Sequence, residues 1–113
     1  MLNKINRLTK DKDFNNAWKR GQASFDKIIG VKIAANKQSN SRFGILVSVK
    51  ISKKAVERNK IKRQIREIIR LWLGGIKPGY DVVIITLPAV LDKSYDEINK
   101  SINRHFKKLG LLN

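Results

Sequence analysis

The 113-residue chain contains no cysteine, which excludes a disulfide framework and a thiolate metal site and suits a reducing compartment. It also lacks long apolar runs. The longest, residues 82–85, is far shorter than the roughly 18 residues that a membrane-spanning helix needs. No secretory signal is visible near the amino terminus. We therefore expect a cytoplasmic protein without membrane contacts, folded as a single domain over residues 1–113.

Acidic residues are also scarce: 9 Asp and Glu stand against 25 Lys and Arg, which leaves a formal net charge of +16 at pH 7. Self-repulsion of this size destabilises a small fold, so the excess indicates a polyanionic partner such as nucleic acid. A metal-dependent protein nuclease needs several converging carboxylates. The acids that cluster here (residues 11 and 13, and residues 92, 96 and 97) lie at helix starts, where the helix dipole explains them.

The chain has one histidine, His105, with no second histidine or carboxylate at ligand spacing. We interpret it as a surface or half-packed residue rather than a general base. The residues therefore indicate neither a catalytic side chain nor a metal centre.

Hydrophobic periodicity predicts an α+β fold. Helices are expected over residues 9–20 and 54–73 and from a capping box at Ser94 and Glu97 onward. Strands are expected over residues 28–35, 43–50 and 81–87, and the polar segment 36–42 is typical of a hairpin connection. The order is α-β-β(-β)-α-β-α, a small sandwich in which three helices pack on a three- to four-stranded sheet.

The long helix separates an apolar seam from a basic arc. At about 100° per residue, one side carries Ile61, Ile65, Ile68, Ile69 and Trp72. The arc beside it carries Asn59, Lys62, Arg63, Arg66 and Arg70, with Arg58 at its border and the acids Glu57 and Glu67 elsewhere. Neighbouring cations repel unless an anion lies across them. The arc thus predicts a phosphate-binding face; a merely solvated helix face is the alternative.

The type of nucleic acid follows from the surrounding elements. A helix-turn-helix would need a short helix before the basic one, and strand signals occupy that place. Phe14 and Trp18 share one face of the first helix, which favours a groove where single-stranded bases stack; core packing would also explain them. A structural RNA-binding protein of ribosomal type and a DNA-binding regulator remain competing functions.

Residues 58–67 read Arg-Asn-Lys-Ile-Lys-Arg-Gln-Ile-Arg-Glu. This segment closely resembles the most specific motif of the protein subunit of bacterial ribonuclease P: Arg-Asn, two residues, Lys-Arg, two residues, Arg-Glu. The similarity extends along the chain in the same order, through Arg7-Leu8, Asp13-Phe14, Gly21, Phe43-Gly44, Ala55-Val56 and Gly79-Tyr80-Asp81.

The resemblance implies an RNA-binding subunit of an endonuclease. Ribonuclease P is a ribonucleoprotein hydrolase that removes the 5′ leader of precursor tRNA, and its catalyst is an RNA that positions Mg²⁺. By this resemblance, the partners are the catalytic RNA and precursor tRNA, with no DNA and no membrane. The protein supplies no catalytic residue and binds no cofactor, because Mg²⁺ acts through the RNA.

The resemblance also implies site residues and topology. The surface for the catalytic RNA would comprise Lys50, Lys53, Lys54, Arg58, Asn59, Lys62, Arg63, Arg66 and Arg70. The leader cleft would be lined by Phe14, Trp18, Ile29 and Lys32, with Lys32 at a position where the family often has an aromatic residue. The family's fold, which resembles domain 2 of ribosomal protein S5, implies a left-handed βαβ crossover, whereas about 98% of such crossovers are right-handed.

Overall fold

A computed structural model describes residues 3–113. It contains three α-helices and four strands: α1 (Asp11–Arg20), β1 (Gln22–Phe25), β2 (Ile29–Ala35), β3 (Arg42–Leu46), α2 (Ala55–Trp72), β4 (Tyr80–Thr86) and α3 (Tyr95–Lys108). Short 3-10 turns occupy Lys4–Asn6, Leu73–Gly75 and Pro88–Asp92. The α+β class is confirmed, and the optional strand of the predicted order is β1. The capping box of α3 is also present, since Ser94 and Glu97 exchange hydrogen bonds.

The strands form one mixed sheet in the order β1-β2-β4-β3. β2 pairs antiparallel with β1 and β4, whereas β3 runs parallel to β4. The predicted hairpin over residues 36–42 is therefore wrong, because β4 lies between the two strands that this segment connects. The hairpin of the fold joins β1 to β2, where a carboxylate oxygen of Asp26 accepts hydrogen bonds from the amides of Ile28 and Ile29. α2 links parallel neighbours β3 and β4; the left hand of this crossover stays a prediction.

The sheet has two unlike faces. On one face, side chains of β2, β3 and β4 pack with α2 and α3 into the main core, which includes Ile29, Val31, Ile33, Phe43, Val82 and Ile84. On the other face a smaller cluster forms where Ala17 of α1 packs with Leu8 and Val83. Because α1 packs mainly on the central strands β2 and β4, parts of β1 and β3 on its side of the sheet stay exposed.

β3 ends at Leu46, four residues before the predicted end. The chain turns there because Val47 and Ile51 both point into the main core, and the amide of Ile51 donates to the carbonyl of Ser48. The alternating pattern of residues 43–50 therefore covers both β3 and the buried turn that follows it. This turn brings the chain to the start of α2.

His105 is buried, with 4% of its surface exposed, which corrects the predicted surface or half-packed position. Its Nδ1 atom lies 2.7 Å from Ser24 Oγ, and its Nε2 atom lies 3.2 Å from a carboxylate oxygen of Asp26. Burial lowers the pKa of His105 despite this carboxylate. Burial alone would raise the pKa of Asp26, but hydrogen bonds from Ser101 and two backbone amides lower it to about 2. This polar network ties α3 to the β1–β2 hairpin.

Arg42 joins α1 to the sheet. Its Nε and Nη2 atoms donate to the two carboxylate oxygens of Asp81 at 2.8 and 2.7 Å, and Nη1 donates to Asp13 of α1 at 3.1 Å. The hydrogen bonds to Asp81 raise the pKa of Arg42, although partial burial opposes this. A bidentate guanidinium fixes direction as well as distance, so this contact holds the amino-terminal end of α1 against β3 and β4.

We predict that Arg42→Met destabilises the protein by roughly 3–5 kcal/mol, because Asp81 would be left buried without its partner. Urea unfolding measures the change. Arg70→Met is the matched control: it breaks an exposed ion pair on α2 and should leave the midpoint almost unchanged. Equal midpoints for Arg42→Met and the parent would show that Arg42 does not hold α1 in place.

Candidate nucleic-acid interface

Burial of the apolar seam of α2 places the basic side of this helix on the surface. Ile61, Ile65, Ile68 and Ile69 are buried in the main core, as the periodicity predicted. Trp72 is half-buried and donates from its indole nitrogen to Asn99 of α3 at 2.9 Å. With this seam fixed, the arc beside it faces away from the core.

Three cations of the arc have no carboxylate partner. Lys62 and Arg66 are half-buried and Arg63 is exposed, and no acid within residues 3–113 forms an ion pair with any of them. Asn59, at the start of this side, is exposed. The structure thus places the predicted residues 59, 62, 63 and 66 on one side of α2, with at least three positive charges left uncompensated.

Two arginines of the predicted surface are engaged within the protein. Arg70 forms an ion pair with Glu67 one turn away, at 2.5 Å, and this contact raises the pKa of Arg70 and lowers that of Glu67. The expectation that Arg70 lies away from the acids is therefore wrong; an i,i+3 pair brings the two side chains together. Arg58 is half-buried and donates to the carbonyl of Ser52 at 2.9 Å.

The loop before α2 adds three exposed lysines, Lys50, Lys53 and Lys54. Its shape is set by Ser52, whose hydroxyl donates to Glu57 at 2.6 Å and accepts from the amide of Lys54 at 3.1 Å. The hydrogen bond that Arg58 donates to the carbonyl of Ser52 joins this loop to the first turn of α2. The loop lysines and the three unpaired cations of the arc together form what we call the basic surface: Lys50, Lys53, Lys54, Lys62, Arg63 and Arg66.

A second surface lies on the α1 side of the sheet. Phe14 is half-buried, and its ring lies so close to Gly44 of β3 that a β-carbon there would be 2.3 Å from it. Trp18 is 48% exposed, and the ammonium of Lys32 lies 3.7 Å from the centroid of its indole ring. Phe14 thus combines packing with partial exposure, whereas Trp18 presents an open aromatic face next to a cation.

Ile29 does not belong to this surface, which corrects the prediction. Its exposed fraction is 0%, and it packs in the main core on the face of the sheet opposite α1. Successive residues of a strand point to opposite faces. Ile29 therefore lies on the α2 and α3 side, while Lys32 lies on the α1 side with Trp18.

Sequence reasoning missed Phe25 on the α1 side. This residue of β1 is 50% exposed and pairs directly with Gly30 of β2. Its ring fills the space above that glycine, since a β-carbon on Gly30 would lie 2.2 Å from the ring. Trp18, Lys32 and Phe25 thus lie on the α1 side of the sheet.

Several carboxylates that could ligate a metal ion are engaged by groups of the protein itself. Asp13 and Asp81 bind Arg42, and Asp26 accepts from Ser101 and two backbone amides. Across residues 3–113, no three acidic or histidine side chains come together as a candidate metal site. Among the helices of the same range, none has the length and apolar character that a membrane crossing requires.

Comparisons with known proteins agree with this geometry. The sequence matches the family described as Ribonuclease P over residues 2–110. It is 39% identical to the ribonuclease P protein component of Clostridioides difficile, covering 97% of this chain and 96% of that protein. It is 38% identical to the protein component of Synechocystis, covering 98% and 90%.

Solved structures give the same result. The ribonuclease P protein of Staphylococcus aureus superposes with a TM-score of 0.88 at 31% identity, covering 96% of this chain and 98% of that one. The Thermotoga maritima protein superposes with a TM-score of 0.79 at 30% identity, covering 87% and 92%. The chain belongs to the ribonuclease P protein family, the protein components of the endoribonuclease that processes tRNA.

Proposed function

We propose that this chain binds the catalytic RNA of ribonuclease P through the basic surface and the single-stranded leader of precursor tRNA through the α1 side of the sheet. The RNA then hydrolyses the phosphodiester bond at the end of the leader. The observation that carries the proposal is the three unpaired cations of the arc on α2, Lys62, Arg63 and Arg66, inside the family's most specific motif.

The basic surface suits the backbone of a structured RNA. Its cations follow one side of α2 and the loop before it, so that a phosphate chain could contact several of them in succession. Each phosphate contact releases condensed counterions, which supplies sequence-independent affinity that weakens with salt. Arg70 contributes less to this binding, because Glu67 already neutralises it.

The α1 side of the sheet suits unpaired nucleotides. Trp18 presents an exposed ring on which a base can stack, and the ammonium of Lys32 beside it can pair with a phosphate. Binding to such a surface does not depend on base identity, because every base has a π-face. A mature tRNA has no 5′ leader to place there, so this surface would separate precursor from product.

The chemistry is assigned to the RNA and its Mg²⁺ ions. The described carboxylates are committed to internal contacts or dispersed, and the buried His105 is held between Ser24 and Asp26. The chain's own residues neutralise phosphates and hold the leader in position. Holding reacting groups in position lowers the entropic part of the barrier without a catalytic side chain.

We predict that Arg66→Ala weakens binding to the catalytic RNA and lowers the slope of log K against log salt by about 0.7–0.9, one phosphate contact. Fluorescence titrations at several salt concentrations measure both values. Arg70→Ala, on the same helix but paired with Glu67, is the matched control and should change the slope less. An unchanged slope for Arg66→Ala would mean that Arg66 contacts no phosphate.

We predict that Trp18→Ala weakens binding of precursor tRNA by the holoenzyme by about 1–3 kcal/mol, the range for one stacked base. Affinity for mature tRNA and for the catalytic RNA alone should not change. Trp18→Phe keeps a ring and should restore most of the difference. Equal losses for precursor and mature tRNA would contradict a leader contact and indicate a packing defect.

A further inference from the structure

We propose that Phe25 is a second stacking site for a leader nucleobase, in addition to Trp18, with Lys32, a neighbour of both residues, to bind the backbone. The inference rests on the proposed leader binding and extends it by one nucleotide contact. Its ligand is unpaired RNA, recognised through the face of a base and the adjacent phosphate rather than through base edges.

The strand register and one ring contact relate the three side chains to one another. Phe25 is paired with Gly30, and Ala23 is paired with Lys32, so Phe25 and Lys32 are diagonal neighbours on one face of the β1–β2 hairpin. Diagonal neighbours lie roughly 7–8 Å apart, within reach of aromatic and long side chains. On its other side, the Lys32 ammonium lies 3.7 Å from the centre of the Trp18 ring. Lys32 therefore contacts one exposed ring and is a diagonal neighbour of the residue that carries the other.

The ring of Phe25 is held against the sheet. It occupies the space that a side chain at position 30 would fill, and only glycine leaves that space free. Gly30 is buried beneath it, while half of the surface of Phe25 remains open to solvent. A ring that is supported on one side and open on the other loses little conformational freedom when a base stacks on it, which is the arrangement that favours binding.

Charge favours RNA over an apolar protein partner as the occupant. Lys32 neighbours both exposed aromatic residues, and within residues 3–113 no carboxylate forms an ion pair with this lysine. Lys32 donates instead to the carbonyl of Trp18 at 3.4 Å, a long contact that leaves its other two protons for a phosphate. The chain as a whole carries a net charge of +16. Aromatic rings interleaved with cations are the pattern of surfaces that bind single strands.

Phe25→Leu tests the proposal, since leucine keeps Gly30 covered but cannot stack. The reconstituted holoenzyme is titrated with precursor tRNAs whose leaders lengthen one nucleotide at a time, and with mature tRNA. We expect the parent to gain affinity at two steps of leader length, and Phe25→Leu to lose one of them, a roughly 5- to 150-fold weaker Kd for long leaders. Phe25→Tyr should restore the lost step. Thermal unfolding checks that the variants are folded.

The outcomes separate the two proposals. If the parent binds precursor and mature tRNA equally, leader binding itself fails and the role of Phe25 fails with it. If Trp18→Ala removes a step but Phe25→Leu matches the parent at every leader length, only the Phe25 site is overturned. A loss that is equal for every leader and for mature tRNA also overturns it, because that result indicates a packing role.

Discussion

Repulsion among unpaired cations on one side of α2 is the electrostatic constraint on which the proposed RNA binding depends. Lys62, Arg63 and Arg66 lie side by side on α2 without a carboxylate from residues 3–113 to compensate them, because the helix must bury its isoleucine seam and the acids available pair elsewhere. Each neighbouring pair of cations costs a few tenths of a kcal/mol. A phosphate chain relieves that cost on binding, so the charges that weaken the isolated fold strengthen its complex with RNA.

The two faces of the sheet serve different purposes. The α2 and α3 side holds the main core and provides the stability that allows a repulsive surface. The α1 side is only partly covered, because a single short helix packs on the central strands and is tied down by Arg42 through Asp13 and Asp81. The exposed rings on this side, Trp18 on α1 itself and Phe25 on the uncovered strand β1, are the ones that would stack on bases. A packed core and an open nucleic-acid surface thus share the same strands.

Much of this arrangement was predictable, and the failures have physical causes. The helical seam and the capping box are local patterns and were confirmed. The hairpin over residues 36–42 failed because parallel pairing of β3 with β4 is non-local and leaves no signal in the connection. Ile29 was misplaced by the resemblance, although the alternation of a strand puts residues 29 and 32 on opposite faces, so that only one of them can line the cleft. The ion pair between Arg70 and Glu67 was missed because long, flexible side chains bring the two charges together, and a helical projection shows only where each side chain starts. Phe25 was missed because β1 has only four residues.

The most direct measurement is cleavage of precursor tRNA by a bacterial ribonuclease P RNA, with and without this chain, across a Mg²⁺ titration at near-physiological salt. Because the basic surface neutralises phosphates, adding the chain should lower the Mg²⁺ concentration needed for cleavage, while the chain alone should cleave nothing. An unchanged Mg²⁺ dependence, or cleavage by the protein without RNA, would contradict the assignment of binding to the protein and of chemistry to the RNA.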